Sequence, residues 1–266
     1  MCNRCSCSNH LIINSPILIS NEIYRLLPFD QSHPLALNRI VPVIDLAQSL
    51  NWLDESQYKE SSIASVDMLA RYHDIDYVEA VLSAENNRCI PVTLGERYNL
   101  GRHGNSYFSK IFTRPATTAG ASILAGQLLA DNDEGVIFFP AGGNHHAKKN
   151  QASGFCIFND PVLGILSMLD NGLKRVLYVD LDAHHGDGVQ EEFQHDDRVF
   201  VISIHEKNRW PYTGKISERG SGNIRNLPVP KELNDNEMSV LISEGVIPLG
   251  EEFEPDALVI QSGADA

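Results

Sequence analysis

The stretch Val176-Leu-Tyr-Val-Asp-Leu-Asp-Ala-His-His-Gly-Asp-Gly188 joins an apolar run directly to a cluster of acids and histidines. Its first four residues have the length and composition of a buried strand, and its glycines indicate a turn. Asp180 and Asp182 are two residues apart, so on an extended segment both side chains lie on one face, and His184 continues the alternation. Such a cluster is costly to bury unless a cation neutralises it, so the pattern indicates a metal site.

Three further apolar runs resemble this first strand: residues 136–139, 199–204 and 257–261. Continuous β-branched runs of this length, each followed by a polar turn, are typical of buried parallel strands. Helical patterns lie near or between them, at residues 117–130, 161–171, 188–194 and 234–252, whereas residues 88–107 are expected to be irregular. Alternating strands and helices predict an α/β fold with a parallel sheet covered on both faces.

Composition excludes some classes of function but does not identify one. The chain has 266 residues, and 42% are hydrophobic, which predicts a single folded domain over residues 1–266. The net charge of −14 has the wrong sign for binding nucleic acid but could attract cationic substrates. No apolar stretch reaches the roughly 18 residues of a membrane span. We therefore expect a cytoplasmic protein with no nucleic-acid or membrane partner and an undetermined oligomeric state.

The first ten residues are expected to form a flexible tail. Three of the five cysteines, Cys2, Cys5 and Cys7, lie within it. A C-x-x-C-x-C cluster could bind a soft metal, but a reduced, frayed tail is the favoured interpretation.

Two other constellations complete the predicted site. Asp265 follows the strand at residues 257–261 and is interpreted as a third metal ligand, the alternative being a helix N-cap. The tandem His145-His146 lies in a glycine-rich turn after the strand at residues 136–139. Imidazoles placed this way can move protons, provided that carboxylates such as Asp180 and Asp187 orient them.

Three segments closely resemble the histone deacetylase superfamily, which includes acetoin-utilisation proteins and acetylpolyamine amidohydrolases: Gly142-Gly-Asn-His-His-Ala-Lys-Lys149, Ala152-Ser-Gly-Phe-Cys-Ile-Phe-Asn-Asp160 and Val176-Leu-Tyr-Val-Asp-Leu-Asp-Ala-His-His-Gly-Asp-Gly-Val189. The resemblance runs from about Phe29 to the last residue, through Asp30-Gln-Ser-His-Pro34 and Tyr72-His-Asp-Ile-Asp-Tyr77. It implies the three-layer α/β/α arginase-deacetylase fold with a mostly parallel central sheet.

The same resemblance implies roles for individual residues. It implies a Zn2+ ion, with Fe2+ as the alternative, held by Asp182, His184 and Asp265. His145 and His146 would pair with Asp180 and Asp187, with His146 as the general base and acid. Gly154, Phe155 and Trp210 would line a narrow tunnel for an acyl-lysine stem. A structural potassium ion would be bound by Asp180, Ser203 and backbone oxygens of Asp182, His184 and Ile204.

The chain also departs from the family pattern. Family members continue beyond the third metal ligand into a glycine-rich loop with a tyrosine that donates a hydrogen bond to the oxyanion, whereas this chain ends at Ala266 and has no Gly-Gly-Gly-Tyr segment. We therefore expect that the C-terminal part of the family domain is absent. Tyr212 replaces the usual glycine at the tunnel mouth, and His103 lies near the place of the acidic rim residue.

Three functions are compatible with these residues. The favoured hypothesis is a zinc-dependent hydrolase of N-acetyl-lysine in proteins or peptides. An amidohydrolase of acetylated polyamines or other small amides is the alternative, favoured slightly by the missing acidic rim residue. A metal-binding but inactive truncated homologue is the third.

Overall fold

Two parallel sheets lie at the centre of the computed structural model, which describes residues 15–26 and 39–263. One sheet has the strand order β2-β1-β3 and the other the order β6-β5-β4-β7. The strands are β1 (Ile17–Ser20), β2 (Tyr58–Glu60), β3 (Ile137–Phe138), β4 (Val176–Asp180), β5 (Val199–Glu206), β6 (Ile224–Val229) and β7 (Ala257–Gln261). All pairings between these strands are parallel, which confirms the predicted sheet type.

Three of the four predicted strands, β4, β5 and β7, are neighbours in the second sheet. The prediction at residues 136–139 is wrong in extent, because β3 keeps only two of its residues and lies in the first sheet. The chain turns away from the ladder after Phe138 because the Pro140-Ala-Gly-Gly segment forms a turn there.

Nine α-helices are described, and helices lie on both faces of the second sheet. They are α1 (Ile40–Ser49), α2 (Val66–Leu69), α3 (Ile75–Asn87), α4 (Val92–Tyr98), α5 (Thr113–Ala130), α6 (Asp160–Asp170), α7 (Asp187–Phe193), α8 (Asp235–Leu241) and α9 (Ile247–Phe253). The expectation of an irregular segment at residues 88–107 was wrong where α4 forms. The helix predicted at residues 234–252 is interrupted by a π-turn, Ile242–Val246, just before Pro248, which has no N–H to continue the α-helical ladder.

Around the second sheet the core lies in two layers, one on each face, and a smaller third cluster packs β1 against α5. Successive side chains of β4 alternate between the two layers: Tyr178 belongs to the large cluster beneath α3, α5 and α6, and Leu177 to a smaller cluster beneath the π-turn and α9. Helix α6 is buried over almost its whole length, and Asn159 caps its start by accepting a hydrogen bond from the Val162 N–H. Helix, sheet and helix therefore form the three-layer α/β/α sandwich that the sequence predicts.

A large groove opens between the two sheets. Within the described ranges, β3 and β7 each pair on one side only, and both line this groove, which has a volume of about 2260 Å³. Apolar side chains along it are exposed, including Phe138, Leu258 and Ile260 at 52%, 51% and 57%. The groove is continuous with the cavity that contains the predicted site residues.

Some predictions lie outside the described ranges: the tail at residues 1–10 with its cysteines, the Asp30–Pro34 segment, and Asp265. The single-domain interpretation stays a prediction. Among the described helices, none is long and apolar enough to cross a bilayer.

Candidate active site

The carboxyl end of β4 places the predicted acids at the groove. Asp180, the last residue of the strand, is fully buried. Its Oδ1 accepts a hydrogen bond from the Asp182 backbone N–H at 3.1 Å, and its Oδ2 accepts one from the Tyr178 hydroxyl at 2.8 Å. These bonds fix the turn that carries the next two predicted ligands into the cavity.

Asp182 and His184 form the described part of the predicted metal site. The Asp182 Oδ1 atom lies 3.1 Å from His184 Nδ1 and accepts a hydrogen bond from the His184 backbone N–H at 2.7 Å. Burial opposes ionisation of Asp182, but the hydrogen bonds from His184 outweigh it and hold the pKa of Asp182 well below its ordinary value. The carboxylate is therefore ionised, as a metal ligand must be.

The donors present fit a zinc ion. Bonds of about 2.0–2.2 Å at tetrahedral angles place two ligands roughly 3.3 Å apart, close to the spacing between these two donors. Among the described residues, no group of three potential ligands is assembled. The predicted third ligand, Asp265, lies outside the described ranges, so the complete ligand set stays a prediction.

The first histidine of the tandem pair bonds to Asp180. The His145 Nδ1–H donates to Asp180 Oδ2 at 2.7 Å, and His145 Nε2 lies 4.0 Å from Asp182 Oδ1. Burial alone lowers the pKa of His145, but the Asp180 carboxylate outweighs burial and raises that pKa above its ordinary value. His145 is therefore suited to holding a proton.

The second histidine bonds to Asp187, in the first turn of α7. The His146 Nδ1–H donates to Asp187 Oδ1 at 2.7 Å. Burial lowers the pKa of His146 to about 4, against the opposing effect of the hydrogen bond to Asp187. His146 is thus neutral at pH 7, with Nε2 free of the Asp187 bond and suited to accepting a proton.

The imidazoles converge on one cavity. The ring centroids of His145 and His146 are 4.0 Å apart, and those of His146 and His184 are 6.0 Å apart. The structure therefore brings the predicted pair, both orienting acids and two of the three predicted ligands together. Two imidazoles of opposite pKa shift beside two predicted metal ligands are the kinds of group that metal-assisted amide hydrolysis uses.

Asp160 holds the turn that carries the histidines, a role not predicted from the sequence. Its buried carboxylate accepts hydrogen bonds from the Asn144 backbone and side chain at 2.8 and 2.7 Å and from the Ser122 hydroxyl at 2.7 Å. Burial raises the pKa of this carboxyl group, although those bonds oppose the shift. An acid in the first turn of an otherwise apolar helix was the available signal.

Gln261 also joins the site unpredicted. Its Nε2 donates to the Gly143 carbonyl at 3.2 Å and lies 3.4 Å from Asp182 Oδ2. The end of β7 therefore contacts both the histidine turn and Asp182, one of the predicted metal ligands.

The three predicted tunnel residues surround the entrance above His146. A Cβ atom added to Gly154 would lie 2.6 Å from both His146 Cδ2 and Trp210 Cη2, so only glycine fits between the two rings. The His146 and Trp210 ring centroids are 4.6 Å apart. Phe155 and Trp210 are each 39% exposed, as expected of side chains at an entrance.

At the rim of the entrance, His103 lies near the place where the family pattern has an acidic residue. His103 Nδ1 lies 2.8 Å from Asn99 Oδ1, and both residues line the large groove. Tyr212 is 71% exposed, so its side chain is available to a substrate at the surface.

The structure brings two of the predicted potassium ligands, Asp180 and Ser203, side by side. Asp180 and Ser203 are register partners on β4 and β5, and Ser203 Oγ lies 2.9 Å from His205 Nδ1. The contributions of Asp182, His184 and Ile204 through backbone oxygens stay predictions.

Known proteins resemble this chain over most of its length. Residues 33–266 match the model of the histone deacetylase domain. The acetoin utilization protein AcuC of Bacillus subtilis is 32% identical over 256 residues, which cover 94% of this chain and 66% of that protein. An HDAC homolog from Aquifex aeolicus superposes with a TM-score of 0.85 at 36% identity, covering 92% of this chain and 67% of the other.

A crystal structure of an HDAC homolog complexed with SAHA also gives a TM-score of 0.85, at 35% identity and the same coverage. The chain spans about half to two thirds of the length of the curated relatives it matches, at 66%, 52% and 48% for three of them.

Proposed function

The chain belongs to the histone deacetylase family, and from that premise we propose that it is a metal-dependent deacetylase that hydrolyses the N-acetyl amide of lysine in a protein or peptide. The observation that carries the proposal is the pair of His–Asp hydrogen bonds beside the Asp182–His184 pair. The opposite pKa shifts make His146 the better proton acceptor and His145 the better holder of a proton in a single cavity.

The chain's own residues would divide the chemistry as follows. Asp182 and His184, with Asp265, would hold Zn2+, which when bound polarises the amide carbonyl and acidifies water. Neutral His146 accepts the proton of the attacking water at Nε2, while Asp187 stabilises the resulting imidazolium. The proton held by His146 then passes to the leaving amine, while Asp180 orients His145 beside it.

The entrance supports a slender substrate side chain. Phe155 and Trp210 provide apolar walls, and the absence of a side chain at Gly154 keeps that position from pushing against the His146 and Trp210 rings. An extended alkyl stem such as that of acetyl-lysine fits this description. The net charge of −14 favours approach of a cationic substrate.

An acetylated polyamine or another small amide is the second candidate. The observation that favours it is the rim, where His103 bonds to Asn99 rather than offering a carboxylate to a peptide backbone. Both candidates use the same cavity and the same chemistry.

Hydrolysis by the zinc-loaded chain tests the proposal, with an acetyl-lysine peptide and an acetylated polyamine as separate substrates. We expect zinc-dependent release of acetate from the peptide, lost in Asp182→Ala and retained in Asp197→Ala, a control at an exposed aspartate. Release from the polyamine alone would favour the second candidate. Zinc uptake without release from either substrate would contradict both and indicate a binding protein.

A further inference from the structure

A lysine beyond the histidine pair contacts the carboxylate that orients His146. The Lys148 Nζ atom lies 2.7 Å from Asp187 Oδ2 and 2.8 Å from Glu191 Oε2. The other carboxylate oxygen of Asp187, Oδ1, is the one that accepts from His146. Lys148, Asp187 and His146 therefore form a continuous series of contacts that ends in the cavity.

The Lys148 end of this series is fixed by the fold. The Lys148 carbonyl lies 3.0 Å from His73 Nδ1, and its backbone N–H donates to the Gln151 carbonyl at 3.0 Å. Glu191 follows Asp187 by one turn of α7, so the ammonium group joins the histidine turn to the first turn of that helix. The Lys148 side chain is only 17% exposed, so solvent competes weakly for these contacts.

A carboxylate with one oxygen held by an ammonium group has less freedom to rotate than one held by an imidazole alone. Engagement of Oδ2 leaves Oδ1 directed at the His146 ring. An acceptor fixed at Nδ1 selects the Nδ1–H tautomer and leaves Nε2 as the proton-accepting atom.

We propose that Lys148 is a positioning residue for the hydrolysis, holding Asp187 so that His146 presents Nε2 to the reacting water. The kinetic consequences rest on the proposed deacetylase function, whereas the effect on the His146 ring does not. The chain offers a matched control in Lys149, which is adjacent in sequence and exposed.

Kinetics of three variants test the proposal. We expect Lys148→Met to lower kcat on the order of 10-fold with KM nearly unchanged, because outer partners of site residues have effects of this size. Lys148→Arg should restore most of the loss, since it keeps the cation, and Lys149→Met should match the parent chain. An equal loss in Lys149→Met, or a loss confined to KM, would overturn the proposal.

A double-mutant cycle identifies the path of the effect. If Lys148 acts through Asp187, Lys148→Met should lower kcat in the parent chain but add little in an Asp187→Asn background. The same fold loss in both backgrounds would mean that Lys148 acts elsewhere.

A spectroscopic readout separates this proposal from the function on which it rests. In ¹⁵N spectra of histidine-labelled protein, we expect the His146 signals to indicate the Nδ1–H tautomer in the parent chain and a tautomer mixture in Lys148→Met. Unchanged His146 signals in Lys148→Met would overturn the positioning role whether or not the chain turns over substrate. An inactive parent chain with the expected change would refute only the proposed function.

Discussion

The two His–Asp pairs have the same hydrogen-bond length, 2.7 Å, but opposite surroundings. Asp180 lies at the end of a central strand, is completely buried, and also accepts from the Tyr178 hydroxyl. Asp187 lies at the start of a short helix and shares its charge with Lys148. Burial lowers both imidazole pKa values, but Asp180 outweighs burial and raises the pKa of His145, whereas Asp187 does not outweigh it and the pKa of His146 is lowered.

Removing each imidazole is expected to give the largest effects. His146→Ala should lower kcat by on the order of 10²- to 10⁴-fold, the usual contribution of a general base, and His145→Ala should cost less. The rates are compared by acetate release at saturating substrate, with the exposed His195→Ala as control. A larger loss of kcat in His145→Ala than in His146→Ala would mean that His145, not His146, is the general base.

Replacing Asp180 or Asp187 by alanine should show that the His145–Asp180 pair contributes more to folding stability than the His146–Asp187 pair. Asp180→Ala leaves three buried donors without their acceptor, from His145, Tyr178 and Asp182, and should lower the free energy of unfolding by about 3–5 kcal/mol. Asp187→Ala should cost about 1–2 kcal/mol, because Lys148 keeps Glu191 as a partner. Urea denaturation measures both values. Equal losses would mean that burial at the strand end does not distinguish the pairs.

Lowering the pH should destabilise the segment that follows His146, because the buried His73 contacts its backbone carbonyls. Burial lowers the pKa of His73 to about 4 in the folded chain, and its Nε2 accepts from the Asn159 N–H, which requires a neutral ring. The unfolded chain takes up this proton near pH 6.5, so the stabilisation is complete above that pH. It is lost progressively as the pH falls to about 4, in total about 3 kcal/mol.

Urea midpoints measured between pH 7 and pH 4 test this dependence. The urea midpoint of His73→Gln should fall less steeply with decreasing pH than that of the parent chain, because position 73 no longer takes up a proton. Other buried histidines account for the decline that remains. Parallel declines in the two proteins would exclude His73 as a source of the pH dependence.

Crowding the tunnel should have the smallest effect. Gly154→Ala places a methyl group against His146 and Trp210 and should lower kcat/KM by about 10-fold through displacement of His146. Gly172→Ala is the control, since Gly172 also has a positive φ, 110°, but has no atom within 4 Å of its added Cβ. It should cost about 1–2 kcal/mol of stability and leave kcat/KM unchanged. A similar activity loss in both variants would attribute the effect to backbone strain.

Sequence alone predicted β4, β5 and β7, each a continuous apolar run rich in β-branched residues, although β7 is only partly buried. It missed β1, whose short run Ile-Leu-Ile is buried, and β6, because the sequence Ile-Arg-Asn-Leu-Pro-Val mixes polar residues and proline. β2, Tyr-Lys-Glu, carries no pattern of its own and is a strand only because β1 pairs with it. Such pairing depends on contacts between distant segments.

The same limit applies to the site. His145, His146, Asp180, Asp182, Asp187 and His184 were predicted because they stand in compact motifs, and the structure brings them together. Lys148, Asp160 and Gln261 were missed, although all three lie in or beside those motifs. Their roles are set by partners 16 to 118 residues away, such as Asn144 for Asp160 and Gly143 for Gln261, which local spacing does not reveal.

The groove between β3 and β7 has a consequence for handling the protein. Within the described ranges, each of these strands presents one backbone edge to the groove, with Phe138, Leu258 and Ile260 exposed nearby. Unprotected edges beside apolar side chains template strand addition from other chains, and natural sheets resist this with charged gatekeepers. We expect concentration-dependent aggregation, measurable by light scattering, that Leu258→Lys reduces. Aggregation at this edge, rather than loss of activity, would then limit the concentration at which the chain can be handled.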